Sequence, residues 1–392
     1  MRSVVIASAV RTPIGNFNGA LKNVPADVLG ALVISEALKR AGLAPAQVDE
    51  VIMGNVLPHG LGQNPARQAM LKAGLAVMTG AVTINKVCGS SLKAVMMGAQ
   101  AVACNDADVI IAGGMENMDL CPYLVPKART GYRMGTAKII DGMVHDGLWD
   151  VVNNYHMGYT AELVSDKFDV SKQDMDAFAS NSFAKAVEAR DQGRFREEIV
   201  PVPVKGPKGK TSLFEDDEAP KLTPMEVLAK LRPAFKKDGR ITAGNSSKIS
   251  DGASAVVLAA EDKVEELGLK PLARIGAQGS AGVPLEDVLV APMLSIPKVL
   301  KKAGMTLDDI ELHEINEAFA ASTVAIIREL GIPEEKVNVN GGAVALGHPI
   351  GASGARILVT LLHALKQKNM TTGMASLCLG GGEAVSLIVE RI

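Results

Sequence analysis

Aromatic side chains are scarce in this sequence of 392 residues: one Trp, four Tyr and eight Phe, 3% in all. Cysteine is equally thin. Four residues with no CxxC pair make no disulfide framework, and they fit reduced thiols in a cytoplasm. Neither sign of charge is in excess. Against 43 Asp and Glu stand 41 Lys and Arg, a net charge of −2, so no basic field exists for a polyphosphate backbone. No apolar run reaches the roughly 18 residues a membrane helix needs. The opening MRSVVIASAVRTPIG turns strand-like too early for a signal peptide, and it is not the amphipathic helix of a transit peptide. The sequons at Asn245 and Asn369 carry no weight without a secretory route. A protein that binds neither nucleic acid nor membrane is expected.

What is present is a large aliphatic core. The chain is 47% hydrophobic and 21% charged, which excludes disorder, and its 39 glycines suit tight packing of helices on a sheet. Residues 2–9 read as a strand, 26–41 as an amphipathic helix ending before Gly42, and 50–56 as another strand. Such alternation argues for helices on both faces of a largely parallel sheet.

The chain also repeats itself. ALKRAGLAPAQVDEVIMGNV from Ala37 and VLKKAGMTLDDIELHEINEA from Val299 match at a shift of 262, each a helix, an acidic turn and a strand. ADVIIAGGME from Ala107 and TTGMASLCLGGGEAVSL from Thr371 follow in the same order, which implies two copies of one α/β unit. Between the copies, about 120–249, lie the only Trp and all four Tyr. The tract 201–224 there is rich in Pro, Lys and Gly and reads as an exposed excursion, whereas 174–190 reads as a helix. The stretch therefore reads as a lid or inserted domain.

Four motifs can carry chemistry. In INKVCGSSLKAV a strand ends at Val87, and Leu92, Val95, Met96, Ala99 and Val102 recur at helical spacing, which puts Cys88 at a strand-to-helix turn with Ser90 or Ser91 as cap. The helix dipole there favours a thiolate, although a small buried cysteine fits as well. In GGAVALGHPIGASGAR, His348 is flanked by glycines and Pro349, a setting for a general base or an oxyanion donor, or for a loop histidine of no consequence. The glycine spacing of a phosphate loop is there, but Lys-Ser/Thr is not. Cys378 ends a strand that opens into Gly380-Gly381-Gly382, a place for close substrate approach or a tight hairpin. In HEINEAFA, the residue four after His313 is Glu317 rather than His, and the cysteines lack ligand spacing, so no metal is expected.

Together VVIASAVRTPIG, NKVCGSSLKAV, GGMENM, NNYHMG, GNSSKISDGA, NEAFA, GGAVALGHPIGASGARI and CLGGG, in this order, resemble the signatures of the thiolase family over nearly the whole chain. The likeness is to its tetrameric biosynthetic acetyl-CoA acetyltransferase branch. The resemblance implies an α/β fold with two duplicated halves, helices on both sides of mixed sheets, and an inserted loop domain. Residues 1–119, completed by about 250–269, would form the first half and 270–392 the second, with 120–249 binding CoA and making oligomer contacts. It implies that Cys88 takes the acyl group, that His348 accepts its proton, and that Cys378 removes the α-proton of a second acetyl-CoA. Asn316 with His348 would stabilise the enolate, and the N–H groups of Cys88 and Gly380 the tetrahedral oxyanion. Leu148, His156, Met157, Phe235, Ala243, Ser247, Ala318 and Phe319 match positions along the pantetheine and acyl pocket, and Met157 would keep the acyl chain short.

The resemblance further implies a cytoplasmic homotetramer acting on acetyl-CoA, CoA and acetoacetyl-CoA, with no cofactor beyond CoA as substrate and product. The sequence departs from the family at Ser91, where glycine is usual, and at Lys248, where a small residue is common. It departs again at Pro220 and Lys221, near a missing arginine, and at 291–297. A broad-range 3-ketoacyl-CoA thiolase of β-oxidation is the near alternative, and a silent acyl-CoA or lipid carrier of the same shape the distant one.

Overall fold

Runs of Val, Ile and Ala between amphipathic helices must bury both faces of a sheet. The computed structural model describes residues 1–206 and 209–392; Pro207 and Lys208, within the tract read as an exposed excursion, lie outside the described residues. The first part of the chain runs β1 (Val4–Arg11), β2 (Gly15–Asn16), α1 (Ala26–Ala41), β3 (Glu50–Gly54), α2 (Pro65–Lys72), β4 (Gly80–Ile84), α3 (Ser90–Ala103) and β5 (Val109–Glu116). An excursion carrying α4 (Met157–Lys167) and α5 (Lys172–Asp191) follows, and β6 (Ser250–Ala260) returns to the sheet. Then come β7 (Ala273–Gly282), α6 (Pro292–Ala303), β8 (Leu312–Ile315), α7 (Ala320–Leu330), α8 (Ser353–Lys368), β9 (Thr372–Leu379) and β10 (Glu383–Arg391).

The described residues form one ten-stranded sheet in the order β8-β9-β10-β7-β1-β6-β5-β3-β4, with β2 laid on β6. The two halves of that order share a plan. β1 lies antiparallel to β6 as β7 does to β10, and β6 antiparallel to β5 as β10 does to β9. β5 runs parallel to β3 as β9 does to β8. A parallel bridge from His313 to Val337 occupies the place that β4 holds in the first half. The duplication read from the sequence is thus visible as topology. The halves meet where Val5 and Ile6 pair with Arg274 and Ala273.

The sheet is mixed rather than largely parallel. Its parallel pairs are β3 with β4 and β5, and β8 with β9. A parallel neighbour needs a long crossover, whereas β9 and β10 are joined by Gly380–Gly382 alone, which makes them a hairpin. β6 enters antiparallel between β1 and β5, with Gly252 opposite Glu116, so both ends of the excursion leave the sheet side by side.

Helices α3 and α8 share one core with both half-sheets: Leu92 and Val95, Leu358 and Leu361, Ile110 and Ala112, Leu377 and Leu379. The outer face of the first half is closed by α1 and α2, with Leu29, Val33 and Met70. α4, α6 and α7 close the outer face of the second, with Val164, Val299 and Val324. α1 covers the residues read from its periodicity, and Gly42 ends it at φ 73, a conformation glycine takes freely. α5 is capped by Ser171 and Asp174, whose side chains bond each other's backbone N–H.

Local readings fail around the first motif. β4 stops at Ile84, not Val87; Val87 sits at φ 45, where β-branched residues are rare, and turns the chain into α3. Neither Ser90 nor Ser91 caps α3, because the N-cap position is Gly89. The Ser90 hydroxyl instead closes the loop, accepting from Lys86 N and donating to Val87 O. Ser91 Oγ reaches across to α8 and accepts the Ala355 N–H at 2.9 Å.

Candidate active site

Cys88 lies in the 85–89 turn just ahead of α3, so it belongs to the first half. His348 stands in the loop before α8, and Cys378 at the end of β9, both from the second. These residues and Gly380 line one cavity of about 640 Å³ at the seam of the two halves. Leu148, His156, Met157, Phe235, Ala243, Ser247, Ala318 and Phe319 line it too, so every pocket residue expected from the sequence is brought together. Asn316 is the exception. It lies behind the wall, 2% exposed, and its side-chain nitrogen and oxygen have no protein partner.

His348 is held by backbone and one hydroxyl. Gly347 ahead of it takes φ 115, and a Cβ there would meet Ser250 Oγ at 2.3 Å, so glycine is required. The His348 N–H donates to Lys248 O at 3.0 Å. Its Nδ1 lies 2.7 Å from Ser353 Oγ, which also reaches Pro349 O at 2.8 Å, while Nε2 has no protein partner. The single proton of Ser353 can point either way. Given to Pro349 it leaves Nε2 a bare base; given to Nδ1 it leaves Nε2 a donor. Burial, reinforced by the Arg356 charge, holds the imidazole down to about 3, so it is neutral at rest.

The two thiols are likewise neutral. Burial pushes Cys88 up to about 12, although the N–H groups of Gly380 and of Cys88 itself approach the sulfur and favour its anion. This reverses the expectation of a thiolate: removal from water outweighs a helix dipole contributing roughly 0.3–1 kcal/mol. Cys378 is pushed up as well, by burial and then by the charge Cys88 can carry. The site at rest therefore holds two thiols and a neutral imidazole, with two convergent N–H groups.

The walls are apolar and aromatic. His156 stacks on Phe235 at 4.8 Å, and Phe235 meets Phe319 edge-on at 6.2 Å. His156 Nδ1 accepts from Gly158 N and so caps α4, which places Met157 in the cavity. Among the described residues no group of three or more His, Cys, Asp or Glu gathers to hold a metal. No helix among the described residues is long and apolar enough to cross a membrane.

Two supporting residues were missed in the sequence. Glu116, the last residue of β5, is buried and accepts from Val56 N, Leu57 N, Gly351 N and Asn55 Nδ2 at 2.7–3.1 Å. It thereby ties the His348 loop to the first half. Ser353 is the other. Their only signals were the motifs GGMENM and GHPIGAS, in which a structural carboxylate and a hydroxyl look like filler. Cys104 is exposed at the end of α3, and Cys121 lies 3.9 Å from His59 Nδ1; neither lines the cavity.

The family model for the thiolase N-terminal domain matches residues 4–262, and that for the thiolase C-terminal domain matches 269–391. An acetyl-CoA acetyltransferase of Pseudomonas aeruginosa is 53% identical over 392 residues, covering 100% of both chains. One from Cupriavidus necator is 51% identical over 392 residues with the same coverage. The crystal structure of the Bacillus anthracis acetyl-CoA acetyltransferase superposes with a TM-score of 0.98 at 42% identity, covering 100% of this chain and 99% of that one. Matched by both domain models and by relatives along its full length, the chain belongs to the thiolase family.

Proposed function

We propose that this protein is an acetyl-CoA C-acetyltransferase, which joins two acetyl-CoA into acetoacetyl-CoA and CoA, reversibly, through an acyl-enzyme on Cys88. The observation that carries this reading is the meeting of two thiols and one histidine with an unpartnered Nε2 in a single cavity. A Claisen condensation needs a covalent acyl carrier and a separate base for the carbanion, and two thiols supply both. The curated relatives bear the name of this activity.

In the proposed sequence, His348 Nε2 takes the Cys88 proton as the sulfur attacks the thioester carbonyl. The Cys88 and Gly380 N–H groups hold the tetrahedral oxyanion. CoA leaves with the proton of Cys378, so Cys378 becomes a thiolate beside an imidazolium. A second acetyl-CoA then gives its α-proton to Cys378, and its enolate oxygen is held by His348 Nε2–H and, through a water, by Asn316. The carbanion attacks the acyl carbon, and Cys88 departs and recovers its proton from His348. Each half-reaction returns the groups the other needs, so the kinetics are ping-pong and no cofactor takes part.

Leu148, His156, Met157, Phe235, Ala243, Ser247, Ala318 and Phe319 hold the pantetheine arm and the acyl group, with Met157 limiting chain length. The reading extends to a cytoplasmic homotetramer. Tyr123, Val125, Met134 and Ile139 in the excursion are exposed apolar side chains that association would cover. The test is CoA-dependent cleavage of acetoacetyl-CoA against a 3-ketoacyl-CoA of C8 or longer. Strong preference for the short substrate is expected. Equal or faster cleavage of the long one assigns the protein to β-oxidation, and no turnover of either makes it a carrier.

A further inference from the structure

The cavity contains one cation. Among the described residues no Asp, Glu or Arg lines it, and Lys248 is the one lysine that does. The Lys248 ammonium donates to Ala243 O at 3.0 Å and lies 5.3 Å from the centre of the Phe183 ring. Burial lowers its affinity for the proton, and no carboxylate offsets that. A half-buried ammonium with no carboxylate beside it is only partly solvated, so an anionic ligand group that neutralises it gains what the free protein lacks.

The position of the ammonium says which end of a ligand it meets. His348 and Cys378, 6% and 3% exposed, form the floor of the cavity. Ala234, Ala243 and Phe17 are exposed and form its mouth. Lys248 is bonded to Ala243, at the mouth. A thioester reacting at the floor has a neutral pantetheine arm along the walls and its phosphates at the mouth. The segment 229–240, which contributes Ala234 and Phe235 to the wall, carries Lys230, Arg232, Lys236, Lys237 and Arg240 against one acid, Asp238. Of these, Lys236 and Arg240 face Asp166, and Lys230, Arg232 and Lys237 are exposed to solvent.

We propose that Lys248 is a specificity residue that binds a phosphate of the CoA substrates at the mouth of the cavity, within the exposed basic field of 230–237. The inference rests on the acetyltransferase reading above. A carboxylate at the far end of an acyl chain would lie at the floor, away from this ammonium.

The test compares CoA, 3′-dephospho-CoA and pantetheine as acceptor thiols with saturating acetoacetyl-CoA, in the wild type, Lys248→Met and Lys248→Arg. A charge-assisted bond of this kind predicts that Lys248→Met raises the KM for CoA about tenfold, while the KM for pantetheine moves less than about twofold. Lys248→Arg restores the CoA value. 3′-Dephospho-CoA follows CoA if the diphosphate is read, and follows pantetheine if the 3′-phosphate is. An equal rise for CoA and pantetheine makes Lys248 a packing residue of the cavity wall and overturns the proposal, as does no change for either. A wild type with no turnover on any thiol removes the acetyltransferase reading and this proposal with it.

Discussion

Cys88 and Cys378 are both thiols in one pocket, and what separates them is their neighbours. Gly380 N–H and the Cys88 N–H converge on the first sulfur, whereas Cys378 has only its own N–H and the proximity of Cys88. The first is thus placed to carry an acyl group whose oxygen those donors receive, and the second to move a proton. Cys88→Ser is expected to abolish the 42 Da mass gain from acetyl-CoA, about one acetyl group, whereas Cys378→Ser gains that mass and fails to condense. Intact-protein mass spectrometry reads both, and loss of acylation in Cys378→Ser contradicts this division of labour. At this scale the residues that meet in the cavity were legible, because Cys88, His348 and Cys378 each stand beside glycines. The protonation state was not. Cys88 before a helix suggests an anion, and only the depth of the pocket shows that burial prevails.

Among the elements, the helices fix where chemistry and substrate meet. α3 follows Cys88, α8 follows His348, and the two pack on one another inside the shared core. Ser91 of α3 supplies the side-chain acceptor that the first turn of α8 otherwise lacks, since Ala352 at its N-cap has none to give. A cap of this kind is worth about 1 kcal/mol, and Ser91→Ala should lower the melting temperature by about 1–3 °C. An unchanged melting curve for Ser91→Ala means that the bond contributes nothing. Helices with plain periodicity and a glycine stop, such as α1, were legible to their last residue. The 85–89 turn was not, because Val87 looks like strand and sits at φ 45 in a turn closed by Asn85 Oδ1, which accepts its N–H, and by Ser90, which donates to its carbonyl.

Over the whole molecule, buried ionisable groups set the dependence of stability on pH. Burial raises Glu116 to about 7 and Glu314 to about 8, and lowers His313 to about 4 and His348 to about 3. Asp251 is raised to about 8, by burial and the neighbouring Asp119. A raised carboxyl stabilises the fold below its unfolded value near 4.5 and loses that contribution as pH climbs through the folded value. A depressed histidine contributes above its unfolded value near 6.5 and loses it as pH falls. Between about 4.5 and 6.5 the two histidines offset two of the three carboxyls, and above 6.5 all three carboxyls act unopposed. The melting temperature, followed by calorimetry, should fall gently from about pH 4.5 to 6.5 and more steeply from there to about pH 8. A steady rise across that upper interval would falsify the assignment of these carboxyls. The duplication was legible at this scale from a 262-residue shift, but strand direction was not, because helix–strand alternation does not record a hairpin such as β9–β10.

The excursion between β5 and β6 leaves and re-enters at neighbouring positions, Glu116 facing Gly252. Residues can therefore be added or removed within it without altering any strand pairing around Cys88, His348 or Cys378. Its segments supply Leu148, His156, Met157, Phe235, Ala243 and Ser247 to the cavity. Most of the cavity's wall thus comes from the excursion, while Cys88, His348 and Cys378 come from the two halves, with Ala318 and Phe319 of the second half completing the wall. A change of length within the excursion would therefore reshape the wall of the cavity while leaving the frame that carries the two thiols and the histidine as it is.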